Sequence, residues 1–403
     1  MEELNVGTAR WLVDVGRALV ASTTAELDAG ATEVAVVAAL RGQGLTAPRT
    51  AAVVAAASAR RRARDRWPQA ERLLFTREGL EQASDPEVSA WRTRRLAGQA
   101  VWDLCSGLGG DALAAAENGA TVTAVDLDEA RLVLLEHNAR ALDLDVVTRP
   151  GDALAVEVPD GALVHADPGR RRADGRRIRR LAEHLPPVGA LVARHASSRG
   201  LAVVLSPAVD LDDPELPPAA ELEFVQFAGT LRESVAWTGA LRTAGVAARA
   251  TLLPGGHTRP RHTDAPRLRR PVGEVGGVLI EVAPAAVRAR LHDEIGAEIG
   301  ARRVAETRAL LTADDVPTPS PWYDHREIHA VLPPRPKPVR TWLRTRDVDA
   351  VEFASHGLPL DTPAWWRALG RPPRGPAGWR IELVRTDDGG RVLVTRVASE
   401  APV

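Results

Sequence analysis

The sequence predicts an α/β protein: a doubly wound, mostly parallel sheet, preceded by a helical N-terminal domain and followed by small C-terminal α+β domains. Three observations lead there. A glycine-rich turn, Ser106-Gly107-Leu108-Gly109-Gly110, joins an apolar strand pattern to a helical one. Strand and helix patterns then alternate as far as residue 205. Several of those strands end in an acid. Such alternation needs crossover helices, and crossover helices make a parallel sheet.

Residues 1–98 read as the helical domain. Apolar residues recur at helical spacing over 8–21, 34–40 and 51–57. The basic run 60–66 follows and reads first as a solvated helix face. Ser84 with Glu87 three residues on fits a capping box, and Pro86 suits a first helical turn. That helix should run to about Leu96, with Gly98 as its stop. Residues 99–255 carry the sheet, with strands expected at 100–105, 121–126, 145–149, 162–166 and 201–205 and a helix at 129–142. Segments 221–227, 233–237 and 248–253 supply further strands whose pairing stays open. Residues 254–271, rich in Pro, Gly, Arg and His, read as a linker or exposed loop. A small α+β domain at 270–330 has a strand at 273–281 and a helix at 284–299, and 317–338 reads as loop. The last domain, 331–403, has a strand at 349–355, a helix at 362–369, and strands 380–385 and 391–396 about an Asp388-Gly389 hairpin turn.

Composition bounds the function. Apolar content of 45% and charge of 26% are those of a folded chain with buried cores. No apolar run reaches the roughly 18 residues of a membrane helix, and the N-terminus lacks the pattern of a signal peptide. The expected compartment is cytoplasmic, with no membrane partner. A single cysteine, Cys105, excludes an internal disulfide and a cysteine-rich metal site, and it reads as a packing residue. Lys337 is the only lysine, so arginine content reflects coding bias and only arginine clustering points to nucleic acid.

The glycine turn makes a cofactor site. Gly107, Gly109 and Gly110 let the backbone turn sharply and approach a ligand, and the following helix points its positive end into the same crevice. Asp126, at the end of the second strand, can accept both hydroxyls of a ribose. Gly107-x-Gly109-x-x-Ala112 formally satisfies the dinucleotide pattern, which would favour NAD. Three features favour S-adenosylmethionine instead. Asp103, inside the first strand, can serve a cationic amino-acid tail. Asp152, after the third strand, can accept from an adenine amine. Asp167-Pro168 closes an apolar fourth strand. One strand-end acid after another resembles the pattern of class I methyltransferases.

Residues 60–172 are similar to the trimethylguanosine synthase group of RNA guanine-N2 methyltransferases. The match rests on Leu74-Phe75-Thr76, Gln82-Ala83-Ser84-Asp85-Pro86-Glu87, Asp103-Leu104-Cys105-Ser106-Gly107-Leu108-Gly109-Gly110-Asp111, Asp126-Leu127-Asp128, Glu136-His137-Asn138-Ala139 and Gly151-Asp152. Nearly the whole chain resembles a bacterial methyltransferase family that joins this catalytic domain to ferredoxin-like and THUMP-like domains. Asp167-Pro168-Gly169-Arg170-Arg171, Leu205-Ser206-Pro207-Ala208-Val209-Asp210 and His356-Gly357-Leu358-Pro359-Leu360-Asp361 carry that wider match. The resemblance implies S-adenosylmethionine as cofactor, with Gln82, Ser84, Asp103, Gly107, Gly109, Gly110, Asp126, Leu127 and Asp152 around it. It puts Asp167 and Pro168 at the catalytic position. In the cap-modifying relatives an aromatic residue follows this motif and stacks on the base; here Gly169 and Arg170 stand there, so cap recognition does not carry over.

An exocyclic amine acceptor needs its lone pair localised, and the Asp167 carboxylate with the Pro168 carbonyl can accept its two hydrogens. Asp167 can also cap the next turn, but its position facing the cofactor crevice favours the catalytic role. Arg170, Arg171 and Arg172 begin the densest basic cluster, which reads equally as a phosphate-binding patch beside the acceptor site and as a solvated face. The pairs His325/His329 and His257/His262 lack cysteine partners, so no metal is expected. Trp365-Trp366 reads as core packing rather than a stacking platform for bases. The expected function is methyl transfer to structured RNA, tRNA or rRNA, and not DNA. The rivals are a methyltransferase for a small molecule or protein, an RNA-binding module with a vestigial cofactor site, and an NAD enzyme.

Overall fold

The computed structural model describes residues 4–170, 178, 180–346, 348, 350–370 and 378–396. The chain divides into two compact units, Met1–Ala248 with Leu253–Gly255, and Arg249–Leu252 with Gly256–Val403.

The first unit opens with helices α1 (Val6–Trp11), α2 (Arg17–Asp28), α3 (Glu33–Gly42) and α4 (Ala47–Ala63), α1 passing into α2 through one π-helical turn at Leu12–Gly16. Asn5 and Thr32 cap α1 and α3 by accepting from the amides of Thr8 (2.9 Å) and Ala35 (3.2 Å). Part of the basic run braces the fold itself. Arg61 and Arg64 clamp Asp28 at 2.7 Å each, Arg64 also reaches Glu71, and the buried Arg60 donates to the Leu73 carbonyl. Two helices follow, α5 (Arg77–Gln82) and α6 (Pro86–Thr93). Pro86 starts α6 as expected, but Asp85 rather than Ser84 is its cap, accepting from the Glu87 amide at 3.2 Å. Ser84 is thereby left for another partner.

The sheet alternates as expected: β1 (Ala100–Leu104), α7 (Gly110–Glu117), β2 (Thr121–Asp126), α8 (Glu129–Ala141), β3 (Val146–Pro150), β4 (Leu163–Ala166), α9 (Val188–Arg194) and β5 (Gly200–Leu205). Then come β6 (Glu221–Phe227), β7 (Thr230–Trp237) and β8 (Val246–Leu253), in which the chain passes to the second unit. The strand order β3-β2-β1-β4-β5-β7-β6 is parallel through β5, with β7 antiparallel between β5 and β6. Every residue of β5 is buried, as a central strand covered on both faces requires. The pairing left open by the sequence is set by Ala228 and Gly229, both at positive φ, which make the two-residue hairpin turn between β6 and β7. Strand order reverses between β1 and β4, so their carboxyl ends open the crevice at the topological switch point. Leu108 of the glycine turn and Leu134 of α8 share one apolar cluster with Leu12, Val20, Val53 and Leu73.

The second unit contains β9 (His257–His262), β10 (Val278–Val282), α10 (Pro284–Arg288), α11 (His292–Glu298), β11 (Arg302–Arg303), β12 (Leu310–Ala313), β13 (Tyr323–Leu332), α12 (Pro336–Arg344), β14 (Val351–His356), α13 (Thr362–Leu369), β15 (Trp379–Thr386) and β16 (Gly389–Arg396). Strands β11-β12-β10-β13-β16-β15-β14 form one sheet. Three expectations fail here. The stretch 254–271 contains β9, whose largely polar, poorly buried residues give no alternation to read. The helix expected at 284–299 is two helices, broken at Arg290 with φ +60°. The loop expected at 317–338 contains the ten-residue β13, which pairs with β10 at its first half and β16 at its second. A charged residue hides that strand: Arg326 is buried because Glu382 (2.7 Å) and Glu281 (2.5 Å) pair with it. Trp365 is buried against Phe353 in this unit's core, as core packing requires. His325 and His329 lie on β13, and His329 packs edge-on against Trp379. Among the described residues no three His, Cys, Asp or Glu side chains come together as a metal would need.

Candidate active site

Four acids expected at or near strand ends converge at the carboxyl edge of the sheet. Burial pushes the Cys105 thiol up, and Asp126, Asp167, Asp103 and Asp152 push it further, so all four act on one atom at the start of the glycine turn. Nothing there would make the thiol a nucleophile.

The turn itself is tightly bound. Ser106 donates through Oγ to the Asp103 carbonyl (2.6 Å) and through its amide to the Val125 carbonyl (3.1 Å). The Asp126 carboxylate accepts from the Gly107 amide (2.8 Å) and the Asp128 amide (2.9 Å). Gly107 has φ +55°, which favours glycine, and a Cβ there would enter open space, so the backbone at this turn is not covered by protein. Gly109, at φ +88°, is different: its Cβ would stand 2.6 Å from Leu135 Cγ, so it serves packing against α8. Gly110 is the first residue of α7. Leu127, next to Asp126, is 75% exposed. Asp152 is exposed and accepts from the Leu154 amide at 2.8 Å.

Helix α5 flanks the turn, for a Cβ on its Gly79 would stand 2.2 Å from Leu108 Cδ1. Gln82 ends α5, exposed, its Nε2 donating to Glu78 (2.9 Å). Ser84 accepts from Arg92 Nη2 at 3.2 Å. Arg92 is a residue that sequence reasoning missed. Its side chain is fully buried, and it forms ion pairs with Asp111 at the start of α7 and Glu233 of β7. Burial alone would lower the guanidinium, but the two carboxylates more than offset this and raise it. Burial likewise would raise Asp111, and Arg92 holds it below the ordinary carboxylate range. Burial raises Glu233 in spite of Arg92. His165 was missed as well. It stands opposite Asp103 across the β1–β4 pair, Nδ1 to Oδ1 2.6 Å. No motif signals either residue; only strand pairing and helix packing bring them to the acids.

Asp167 follows β4, partly exposed, its amide donating to the Leu104 carbonyl at 3.3 Å. Pro168 is buried. Arg170 Nε lies 3.9 Å from Asp167 Oδ1, and Arg170 Nη1 donates to the Leu205 carbonyl at 3.4 Å. Arg171 and Arg172 lie outside the described residues.

No protein-family model matches the chain. An uncharacterized S-adenosylmethionine-dependent methyltransferase of Mycobacterium tuberculosis, recorded in two strains, is 30% identical over 323 residues, which are 80% of this chain and 87% of the relative. The chain belongs to the S-adenosylmethionine-dependent methyltransferases. The crystal structure of a provisionally assigned methyltransferase from Porphyromonas gingivalis W83 superposes with TM-score 0.76 at 20% identity, over 95% of this chain and 99% of that one, and so shares its fold. The enzyme's methyl donor is therefore S-adenosylmethionine. The crevice fits that molecule: open space at Gly107, the unpacked apolar Leu127, the carboxylates Asp126 and Asp152, and a buried Asp103 whose Oδ2 has no hydrogen-bond partner. In the free enzyme both Asp126 oxygens already accept from the turn, so ribose hydroxyls would have to use their second lone pairs.

Proposed function

We propose that this methyltransferase modifies structured RNA, tRNA or rRNA, by direct transfer to an acceptor held beside Asp167 and Pro168. The observation that carries the reading is Arg170 beside Asp167 at the end of β4, a cation and a carboxylate together at the mouth of the crevice. The carboxylate suits an amine acceptor, and the guanidinium suits a neighbouring phosphate. Asp167 and the Pro168 carbonyl would accept the hydrogens of an amine, localise its lone pair and stabilise the charge that develops on it. The bound cofactor supplies an electrophilic methyl group. The protein's task is then alignment, with no acid–base dyad required. Gly107, Gly110, Asp126, Leu127 and Asp152 would hold the nucleoside, with Gly109 keeping the turn packed on α8; Gln82, Ser84 and Asp103 would serve the methionine tail. Arg171 and Arg172 would extend the phosphate track, with the 331–403 segment as a THUMP-like RNA-binding unit. The resemblance to the RNA guanine-N2 methyltransferases supports RNA as substrate, and the missing aromatic residue after Pro168 points away from a capped end.

The test is tritium-methyl transfer from S-adenosylmethionine into fractionated RNA, protein and metabolites. Ribonuclease-sensitive label in RNA is expected. Label confined to protein or metabolites would overturn the RNA reading. Asp167→Ala should abolish transfer with cofactor affinity nearly unchanged; a matching loss of affinity would make Asp167 a cofactor-site or structural residue.

A further inference from the structure

The pair His165–Asp103 is buried and incomplete. Neither residue is more than 3% exposed, and they are joined at 2.6 Å. Their outer atoms, His165 Nε2 and Asp103 Oδ2, are both buried without a hydrogen-bond partner. Two bare buried polar atoms are unfavourable, and apolar residues of like shape would fill the same space better. A water molecule or a ligand group reaching either atom would relieve that cost.

The surroundings say which charge is absent. Asp111 of α7 acts on both members of the pair, and Arg92 of α6 acts on His165. Glu233 of β7 and Asp167 act in turn on Arg92, while β5 presents only Ala202 in register with His165. Of the three buried carboxyl groups here, Asp111 and Glu233 share the Arg92 guanidinium, and Asp103 has only His165 beside it. The cluster is short of positive charge. A proton on His165 can supply it in the free enzyme, and an arriving cation can supply it in the complex.

We propose that His165 is a positioning residue of the cofactor site, which holds the Asp103 carboxylate for the cofactor's methionine ammonium and releases its own proton as that cation binds. The inference rests on Asp103 serving the methionine tail. On binding, the imidazolium Nδ1–H···Oδ1 bond becomes a neutral imidazole donating to the same carboxylate. The proton passes to solvent, and the ammonium takes its place in the charge balance.

Calorimetric titration of the full chain with S-adenosylmethionine between pH 5.5 and 7.5, in buffers of different ionisation enthalpy, tests this. An α-amino group titrates at about 7.7–8.0, so the tail is almost wholly cationic below about pH 6.7, where the proton count is read, and still mostly cationic at 7.5. Proton release approaching one per cofactor is expected at the acid end, with Kd falling by up to about tenfold per pH unit as pH rises. His165→Asn keeps an N–H donor for Asp103. It should bind within about threefold of wild type at pH 7.5, with a flat profile and no proton release. Wild-type proton release in His165→Asn would overturn the role of His165. Asp103→Asn separates the two readings. Unchanged affinity and profile in that variant would remove Asp103 from the tail site altogether. Weakened binding there, with an unaltered profile in His165→Asn, would remove only His165.

Discussion

Replacing Arg92 with Met deletes the cation between Asp111 and Glu233 while keeping most of the side chain's volume. The Arg92 side chain is 0% exposed and its partners only 11% and 3%, so water cannot take over the pairing. Breaking a buried pair by removing one partner costs about 3–5 kcal/mol, and two stranded carboxylates place this site near the upper end. The loss depends on pH. Without Arg92, burial raises both native carboxyls above their unfolded values, so the native state binds more protons and gains stability as pH falls. Each carboxyl that takes up a proton recovers about 1.4 kcal/mol per pH unit. The variant should therefore lose about 4–5 kcal/mol at pH 7.5 and clearly less at pH 5.5. A domain of this size loses about 2–4 °C per kcal/mol, which gives a Tm lower by about 8–20 °C at pH 7.5. Differential scanning calorimetry at both pH values measures this. A Tm within about 2 °C of wild type, or a larger loss at pH 5.5, would refute the reasoning.

The two glycines of the turn should separate stability from binding. Gly109→Ala drives a Cβ to 2.6 Å from Leu135 and should lower both Tm and cofactor affinity, whereas Gly107→Ala should cost only about 1 kcal/mol of stability yet abolish binding measured by calorimetry. Leu127→Ala should leave Tm unchanged, because the side chain is exposed, and weaken S-adenosylmethionine binding by about tenfold, the worth of burying such a side chain. In the second unit, burial opposes the charge on Glu382, but His356 (2.7 Å) and Arg326 outweigh it and hold the carboxyl down at about 2. Its contribution is fully present above about pH 4.5 and is lost as pH falls from there towards 2. Glu382→Gln should remove about 3 kcal/mol at pH 7 and flatten that acid limb in denaturant titrations.

The parallel half of the sheet was legible because its signals are local. The expected strand 121–126 has the bounds of β2, and the expected helix 129–142 lies within a residue of α8, since a glycine turn, an apolar run and a strand-end acid lie within a few residues of one another. The second unit was less legible. β13 carries the buried Arg326, and β9 offers no alternation, so a hydrophobic pattern could not announce either strand.

By itself the sequence determined the strand-and-helix order, the glycine turn and the acids that end the strands, because backbone geometry and burial pattern are written in neighbouring residues. Only the tertiary structure decided the partners of those acids. Arg92 reaches Glu233 from 141 residues away and Asp111 from 19. His165 meets Asp103 across 62 residues, because β4 returns to lie beside β1. Charge satisfaction inside a protein is a matter of distance in space, and strand order rather than residue order sets that distance.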